Sequence, residues 1–146
     1  MANQQGNFGF RPVLMMGSAY NGQGQQQMTI ASNETNSIFM GDPVVLNANG
    51  SISRGSSAGA ELVGIFNGCF YTDPTTQKPT FSNHYPGAIV ADDIVANVIS
   101  DPDVIFEVKV DDANGGRAQV GSTANIATYA AGSTKSGISG VALDGS

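Results

Sequence analysis

Catalysis needs a nucleophile, a base or a set of metal ligands at suitable spacing, and this chain of 146 residues offers few. His84 is its single histidine, so any catalytic triad or imidazole-based metal site has to be built around it. Its setting, Ser82-Asn83-His84-Tyr85-Pro86, is proline-flanked and predicts an exposed loop. Cys69 is the single cysteine, which excludes an intrachain disulfide framework and a CxxC knuckle. A nucleophilic thiol needs a neighbouring base and a lowered pKa; among Phe66, Phe70 and Tyr71, Cys69 reads instead as a buried structural residue. Gly55-Ser56-Ser57-Ala58-Gly59 fits the letters of a hydrolase elbow, G-x-S-x-G. The preceding Ser51-Ile52-Ser53-Arg54 is too polar for a central strand, however, and no helical pattern follows, so this segment reads as a loop between strands. No phosphate-binding loop, dinucleotide fingerprint or H-E-x-x-H occurs. The expectation is a protein that is not an enzyme, with no catalytic residues, no cofactor and no metal.

The charges point the same way. Six Lys and Arg against twelve Asp and Glu give a net charge of −6. The basic residues (Arg11, Arg54, Lys78, Lys109, Arg117, Lys135) are scattered, whereas nucleic-acid binding relies on clustered cations that displace counterions from phosphates; no nucleic-acid partner is expected. Seven of the twelve acids (Asp92, Asp93, Asp101, Asp103, Glu107, Asp111, Asp112) crowd into one stretch. Asp111-Asp112-Ala113-Asn114-Gly115 lacks the alternating ligands and terminal Glu of a calcium loop, so these acids read as turn formers and as the wet faces of strands. No stretch approaches the roughly 18 apolar residues of a membrane span, and Met1 to Phe10 lacks the basic and apolar regions of a secretory leader. Without a leader, Asn33-Glu34-Thr35 and Asn49-Gly50-Ser51 carry no glycosylation expectation. Phe66, Phe70, Tyr71, Phe81 and Tyr85 are candidates for a sugar-stacking platform but are read as core and interface residues.

The elements that must position these residues are strands. Nineteen glycines and six prolines lift these two residues above their usual share of about 12%, while charged residues are only 12% of the chain. That composition describes a turn-rich single domain. Residues 1–27 hold nine Asn or Gln, five Gly and one charge and read as an extended N-terminal arm. Within it Phe8, Phe10, Val13, Leu14, Met15 and Met16 form an apolar island that cannot bury itself as a lone strand, so it is expected to add to a sheet or dock on another chain.

Residues 28–146 read as one β-rich domain with period-two patterning. Val104 to Val110 alternates as a strand, followed by an Asn114-Gly115 hairpin turn and a returning strand over Arg117–Val120. Pro43–Leu46 and Ser51–Ser53 form a second hairpin around Asn49-Gly50. Leu62–Tyr71 is the most hydrophobic run and belongs at the centre of the sheet, with Gly64 and Gly68 marking bulges or bends. Ile94–Ile99 is a further strand. Thr72–Pro86, with three prolines, reads as a long surface loop. A short helix is expected between Ser122 and Gly132, and a weak edge strand around Ile138, Val141 and Leu143. Six to eight short strands separated by turns make a small barrel or sandwich.

The order Gly41-Asp42-Pro43-Val44, then Asn49-Gly50-Ser51-Ile52, then Leu62-Val63-Gly64-Ile65-Phe66 resembles the hairpin-rich core of capsid decoration proteins of tailed bacteriophages, over roughly residues 37–71. The resemblance implies an all-β fold, a small β-barrel or β-tulip-like domain with an N-terminal arm. It implies a structural virion protein, made in the host cytoplasm, that binds the exterior of the assembled head and stabilises it. Its partner would be the major capsid protein, with Phe8 through Met16 as the capsid or subunit interface, and it would be a homo-oligomer, a trimer ahead of a dimer. The Thr72–Pro86 excursion is not part of the pattern. A head-fibre base or tail-associated β module, or a carbohydrate-binding β-sandwich, is the alternative.

Overall fold

The computed structural model describes residues 6–16, 24–56, 59–111 and 116–145. The first strands in the chain are β1 (Arg11–Met15), β2 (Gln25–Ile30) and β3 (Ile38–Phe39), followed by the hairpin β4 (Pro43–Leu46) and β5 (Ser51–Arg54). The long β6 (Leu62–Thr72) leads to the short β7 (Pro79–Ser82) and β8 (His84–Tyr85). After these come β9 (Val95–Ile99), β10 (Val104–Glu107), a 3-10 turn at Arg117–Gln119, β11 (Ile126–Ser133) and β12 (Ile138–Leu143).

Five strands close into a β-barrel in the order β4-β5-β2-β9-β6, with β6 returning to β4. All of these pairings are antiparallel except that of β2 with β5. The Asn47–Gly50 turn sets the β4–β5 register: Asn47 donates its N–H to Ser51 O, Asn49 Oδ1 accepts the Ser51 N–H, and Gly50 takes φ +80°. A positive φ there is what an Asn-Gly pair supplies without strain.

Closure depends on two glycines in β6. The β6–β9 ladder shifts register between Phe66 and Cys69, where Gly68 takes φ +109°. This extra residue restores the inward direction, so Phe66, Cys69 and Tyr71 all face the core despite their uneven spacing. Gly64 lies opposite Val44, where the β4 ladder also slips; a Cβ there would sit 2.5 Å from Ile99 O. Ile30, Ile38, Val44, Ile52, Tyr85, Ile94, Ala96 and Val98 pack with them in the core.

Three two-stranded ribbons clothe the barrel: β1 with β10, β3 with β8, and β11 with β12. Several of them depart from the sequence expectation. The arm span overlaps the barrel, because β2 begins at Gln25; its Gln-rich half carries no apolar pattern, and only Met28 and Ile30 signal the core. Thr72–Pro86 is not one loop. Pro79 opens β7, an edge position that needs no N–H, Tyr85 is fully buried, and its hydroxyl donates to Glu34 O and accepts from Ile89 N–H.

The helix expected at Ser122–Gly132 is strand β11. Its alanines favour helix, but β12 offers an antiparallel ladder, twice interrupted by register shifts, and Arg54 binds the Tyr129 and Ala130 carbonyls, which a helix would use internally. The strand expected over Val104–Val110 stops at Glu107, and Arg117–Gln119 is a 3-10 turn rather than a returning strand. The partner of β10 is β1, and the chain after Glu107 leaves to hydrogen-bond Leu143 from Lys109 and Asp111. The Asn114-Gly115 turn lies outside the described residues.

Gly64→Ala is expected to lower stability by about 3 kcal/mol, because the barrel seam has to open to admit one methyl group. Urea unfolding monitored by circular dichroism measures this.

Candidate docking face

The apolar island of the N-terminal segment is laid along the outside of the domain. Phe10 donates its N–H to Gly41 O and Met16 donates to Asp103 O, which fixes both ends of β1. Gly9 takes φ +68° and passes so close to Gly41 O and Ser139 that a Cβ would lie 2.5 Å from each; only glycine fits this approach. Arg11 forms an ion pair with Glu107 across the ribbon and places its guanidinium 5.1 Å from the centre of the Phe8 ring. Phe10 meets Phe106 edge to face at 6.1 Å.

Between Pro12 and Leu14 the β1–β10 register shifts, leaving Val13 as the extra residue. A regular strand would turn Val13 and Leu14 to opposite faces; the bulge lets both be exposed, at 55% and 62%, beside Met16 at 64%. Ile105, paired with Leu14, is partly exposed as well. Pro12 withholds an N–H and the bulge twists the strand, two features that guard a sheet edge against pairing. This ribbon therefore offers its side-chain face rather than its backbone edge. Of the six residues singled out in the sequence, Val13, Leu14 and Met16 reach this face. Phe8 and Phe10 are half-buried beneath the segment, and Met15, half-buried, is paired with Val104.

Under the same segment is the node that holds it. Asp42 is completely buried. One carboxylate oxygen accepts the Ser139 hydroxyl; the other accepts the Phe39 N–H at 2.9 Å and stands 2.9 Å from Arg54 Nε in an ion pair. Burial pushes the Asp42 carboxyl above its usual range, while Ser139, Phe39 and the charge of Arg54 pull against that shift. Arg54 extends the network by donating to Tyr129 O and Ala130 O on β11. The sequence signal for this node is one acid, between Gly41 and Pro43, set in the apolar run from Ile38 to Leu46.

The other candidates are dispersed. Cys69 is buried with its thiol pushed up to about 12 by desolvation, so it stays neutral. His84 is half-buried and stacks on Phe39 at 5.6 Å, rather than standing in an exposed loop. Gly55, Ser56 and Gly59 are non-strand residues after β5; Ser57 and Ala58 lie outside the described residues. Of the five aromatics, Phe66, Tyr71 and Tyr85 belong to the core, leaving the contacting pair Phe70 and Phe81 toward the surface.

The acids serve separate local tasks. Asp93 accepts from the Thr72 N–H and hydroxyl, Asp101 accepts from the Asp103 N–H, and Glu107 pairs with Arg11. Among the described residues no three His, Cys, Asp or Glu side chains are grouped to hold a metal ion, and no helix is long and apolar enough to cross a membrane. Comparison with protein-family models, curated proteins and solved structures finds no match to this chain.

Asp42→Ala is expected to cost about 3–5 kcal/mol, because Arg54 is left buried without its counter-charge. The double variant Asp42→Ala with Arg54→Met is expected to cost less than the sum of the two single changes, as chemical denaturation of all four proteins will measure. The Thr72 donors hold the Asp93 carboxyl below its usual 3.8. Its contribution to stability is therefore present above pH 3.8 and lost as pH falls through the lower folded value, an order that carboxyl-carbon NMR titration checks.

Proposed function

We propose that the chain is a capsid decoration protein, a structural component that binds the outer surface of an assembled tailed-phage head and stabilises it. The observation that carries this reading is the outward apolar group of Val13, Leu14, Met16 and Ile105 on the β1–β10 ribbon, whose first strand is held at one end by Gly41, just ahead of barrel strand β4, and at the other by Asp103, just ahead of β10. Exposed aliphatic side chains gathered in this way on a fixed ribbon are a feature of contact surfaces. The residues that resemble the decoration family support the reading from a second direction. Gly41 to Val44 opens β4, Asn49-Gly50 makes the hairpin turn, and Val63-Gly64-Ile65 lies in the strand that closes the barrel.

The mechanism is adhesive. The major capsid protein is the partner, and the apolar face contributes through water exclusion, roughly 25 cal/mol for each Å² of apolar surface covered. A homo-oligomer, a trimer ahead of a dimer, multiplies such modest contacts by presenting several faces to a symmetric shell. Bridging neighbouring shell subunits opposes their separation as the head fills. The chain acts at the virion exterior, and we assign it no catalytic step, cofactor or nucleic-acid contact.

Leu14→Glu and Met16→Glu place a charge on the face without touching the core. Both proteins are expected to melt within a few degrees of the parent and to lose saturating attachment to purified capsids in co-sedimentation. Unchanged saturation by both would sink the reading.

A further inference from the structure

Asn-Gly occurs four times in the chain, at Asn21, Asn49, Asn67 and Asn114, and the pairs at Asn49 and Asn67 lie within the described residues. Glycine has no side chain to shield its nitrogen or restrict its backbone, so that nitrogen can reach the preceding side-chain amide. At the β4–β5 turn the fold adds activation. Asn49 Oδ1 accepts two hydrogen bonds from Ser51, one from its N–H at 3.1 Å and one from its hydroxyl at 2.7 Å. That hydroxyl accepts in turn from Asn47 Nδ2 at 3.2 Å, and Asn47 Oδ1 accepts the Ser53 hydroxyl at 3.1 Å. Every link of this relay donates toward Asn49, so the links polarise one another and draw electron density from its side-chain carbonyl. We infer that Asn49 is a self-modifying site, whose side-chain amide is attacked by the Gly50 nitrogen and converted to aspartate and isoaspartate with water as the co-reactant.

The atoms balance with water alone. Hydroxide takes the Gly50 N–H proton, and the nitrogen bonds to Asn49 Cγ, closing a ring. The negative charge that develops on Oδ1 falls on the two Ser51 donors, the arrangement of an oxyanion hole. Collapse breaks the Cγ–Nδ2 bond, and that nitrogen takes up a proton and leaves as ammonia, giving a succinimide. Water then opens the ring at either carbonyl, which yields an aspartate or an isoaspartate whose backbone runs through Cβ and Cγ. The reacting groups are neighbours in the chain and need no encounter, and the bond to the Ser51 N–H folds the Asn49 side chain forward over the Gly50 peptide. Asn49 and Gly50 are exposed, and the space that a Cβ on Gly50 would take is open. One contact opposes the reaction: Gly50 donates its N–H to Asn47 O at 3.0 Å, a bond that has to open before attack. Asn67 is the internal comparison. It is half-buried in β6 between β9 and β7, and Ser82 O stands 3.1 Å from where a Cβ on Gly68 would be, so ring closure there has to disturb the sheet. The aspartate product at position 49 keeps both Ser51 donors on a carboxylate, whereas isoaspartate lengthens the backbone of the turn that sets the β4–β5 register.

The test incubates the full-length chain in mildly alkaline buffer, folded and in urea, and follows each Asn-Gly pair by peptide mass spectrometry with fragmentation that separates aspartate from isoaspartate. In the folded chain Asn49 is expected to react about tenfold or more faster than Asn67, with the two rates converging in urea. Ser51→Ala is expected to slow Asn49 about tenfold in the folded chain, the worth of one hydrogen bond in the transition state. Ser51→Thr, which keeps the hydroxyl, is expected to restore the parental rate, and in urea the three proteins are expected to match. Equal rates at Asn49 and Asn67 in the folded chain, or an Asn49 rate that Ser51→Ala leaves unchanged or raises, would overturn the inference. Should Ser51→Ala lose the parental circular dichroism, Ser53→Ala removes the far link of the relay instead, with a slowing of about twofold expected; an unchanged rate in that variant would overturn the inference as well.

Discussion

One buried carboxylate ties this molecule together. The strands that make the barrel pair with one another, and the N-terminal segment and the β11–β12 hairpin both meet it at the short stretch from Met40 to Asp42. Its backbone bonds the barrel strand β6 at Phe66, the β12 hairpin at Gly137 and Ser139, and the N-terminal segment at Phe10. The Asp42 side chain then locks the stretch by holding the Phe39 N–H, the Ser139 hydroxyl and Arg54. A charge so deeply buried is tolerated because two hydrogen-bond donors and the positive charge of Arg54 converge on it, and the removal of one leaves the others uncompensated. The exposed apolar face depends on this node indirectly, since β1 begins just after Phe10 meets Gly41.

The barrel was legible in the sequence to the extent that its strands wear their burial openly. Val44, Ile52, Phe66 and Val98 sit in runs with clear alternation or strong β propensity, and Asn49-Gly50 announces its turn. Gly64 and Gly68 were recognisable as irregularities, though not as the two places where the barrel closes. What escaped was set by distant partners. Gln25 to Thr29 reads as polar because the outer side of β2 is wet, and only pairing with β5 and β9 makes it a strand. Ala127, Ala130 and Ala131 suggest a helix until the β12 ladder takes up the segment and the Arg54 guanidinium claims the carbonyls of Tyr129 and Ala130. Tyr85, between His84 and Pro86, carries no local sign that it fills the core.

The candidate site was half visible. The island from Phe8 to Met16 stands out as apolar residues in a glycine and glutamine background, but its division of labour does not. A single bulge sends Val13 and Leu14 outward together, while Phe8 and Phe10 are half-buried beneath the segment. Ile105 joins the face from β10, far along the chain, and cannot be gathered with it by spacing. The low charge of the chain, 12% of residues, acquires a physical meaning from this layout. Ion pairs such as Arg11 with Glu107 trim the ribbon, and the surface beyond it is left to contacts that do not depend on charge steering.

The Asp42 node couples the outer layer to the barrel, so that the exposed apolar face of the β1–β10 ribbon is held in one geometry. Native-state hydrogen exchange on Asp42→Asn tests this residue by residue. Loss of protection confined to the amides of Phe10, Met40 and Ser139, with Ala96 and Val98 of the barrel still protected, is the predicted result. Uniform loss across barrel and ribbons, or no change at Phe10 and Ser139, would contradict it.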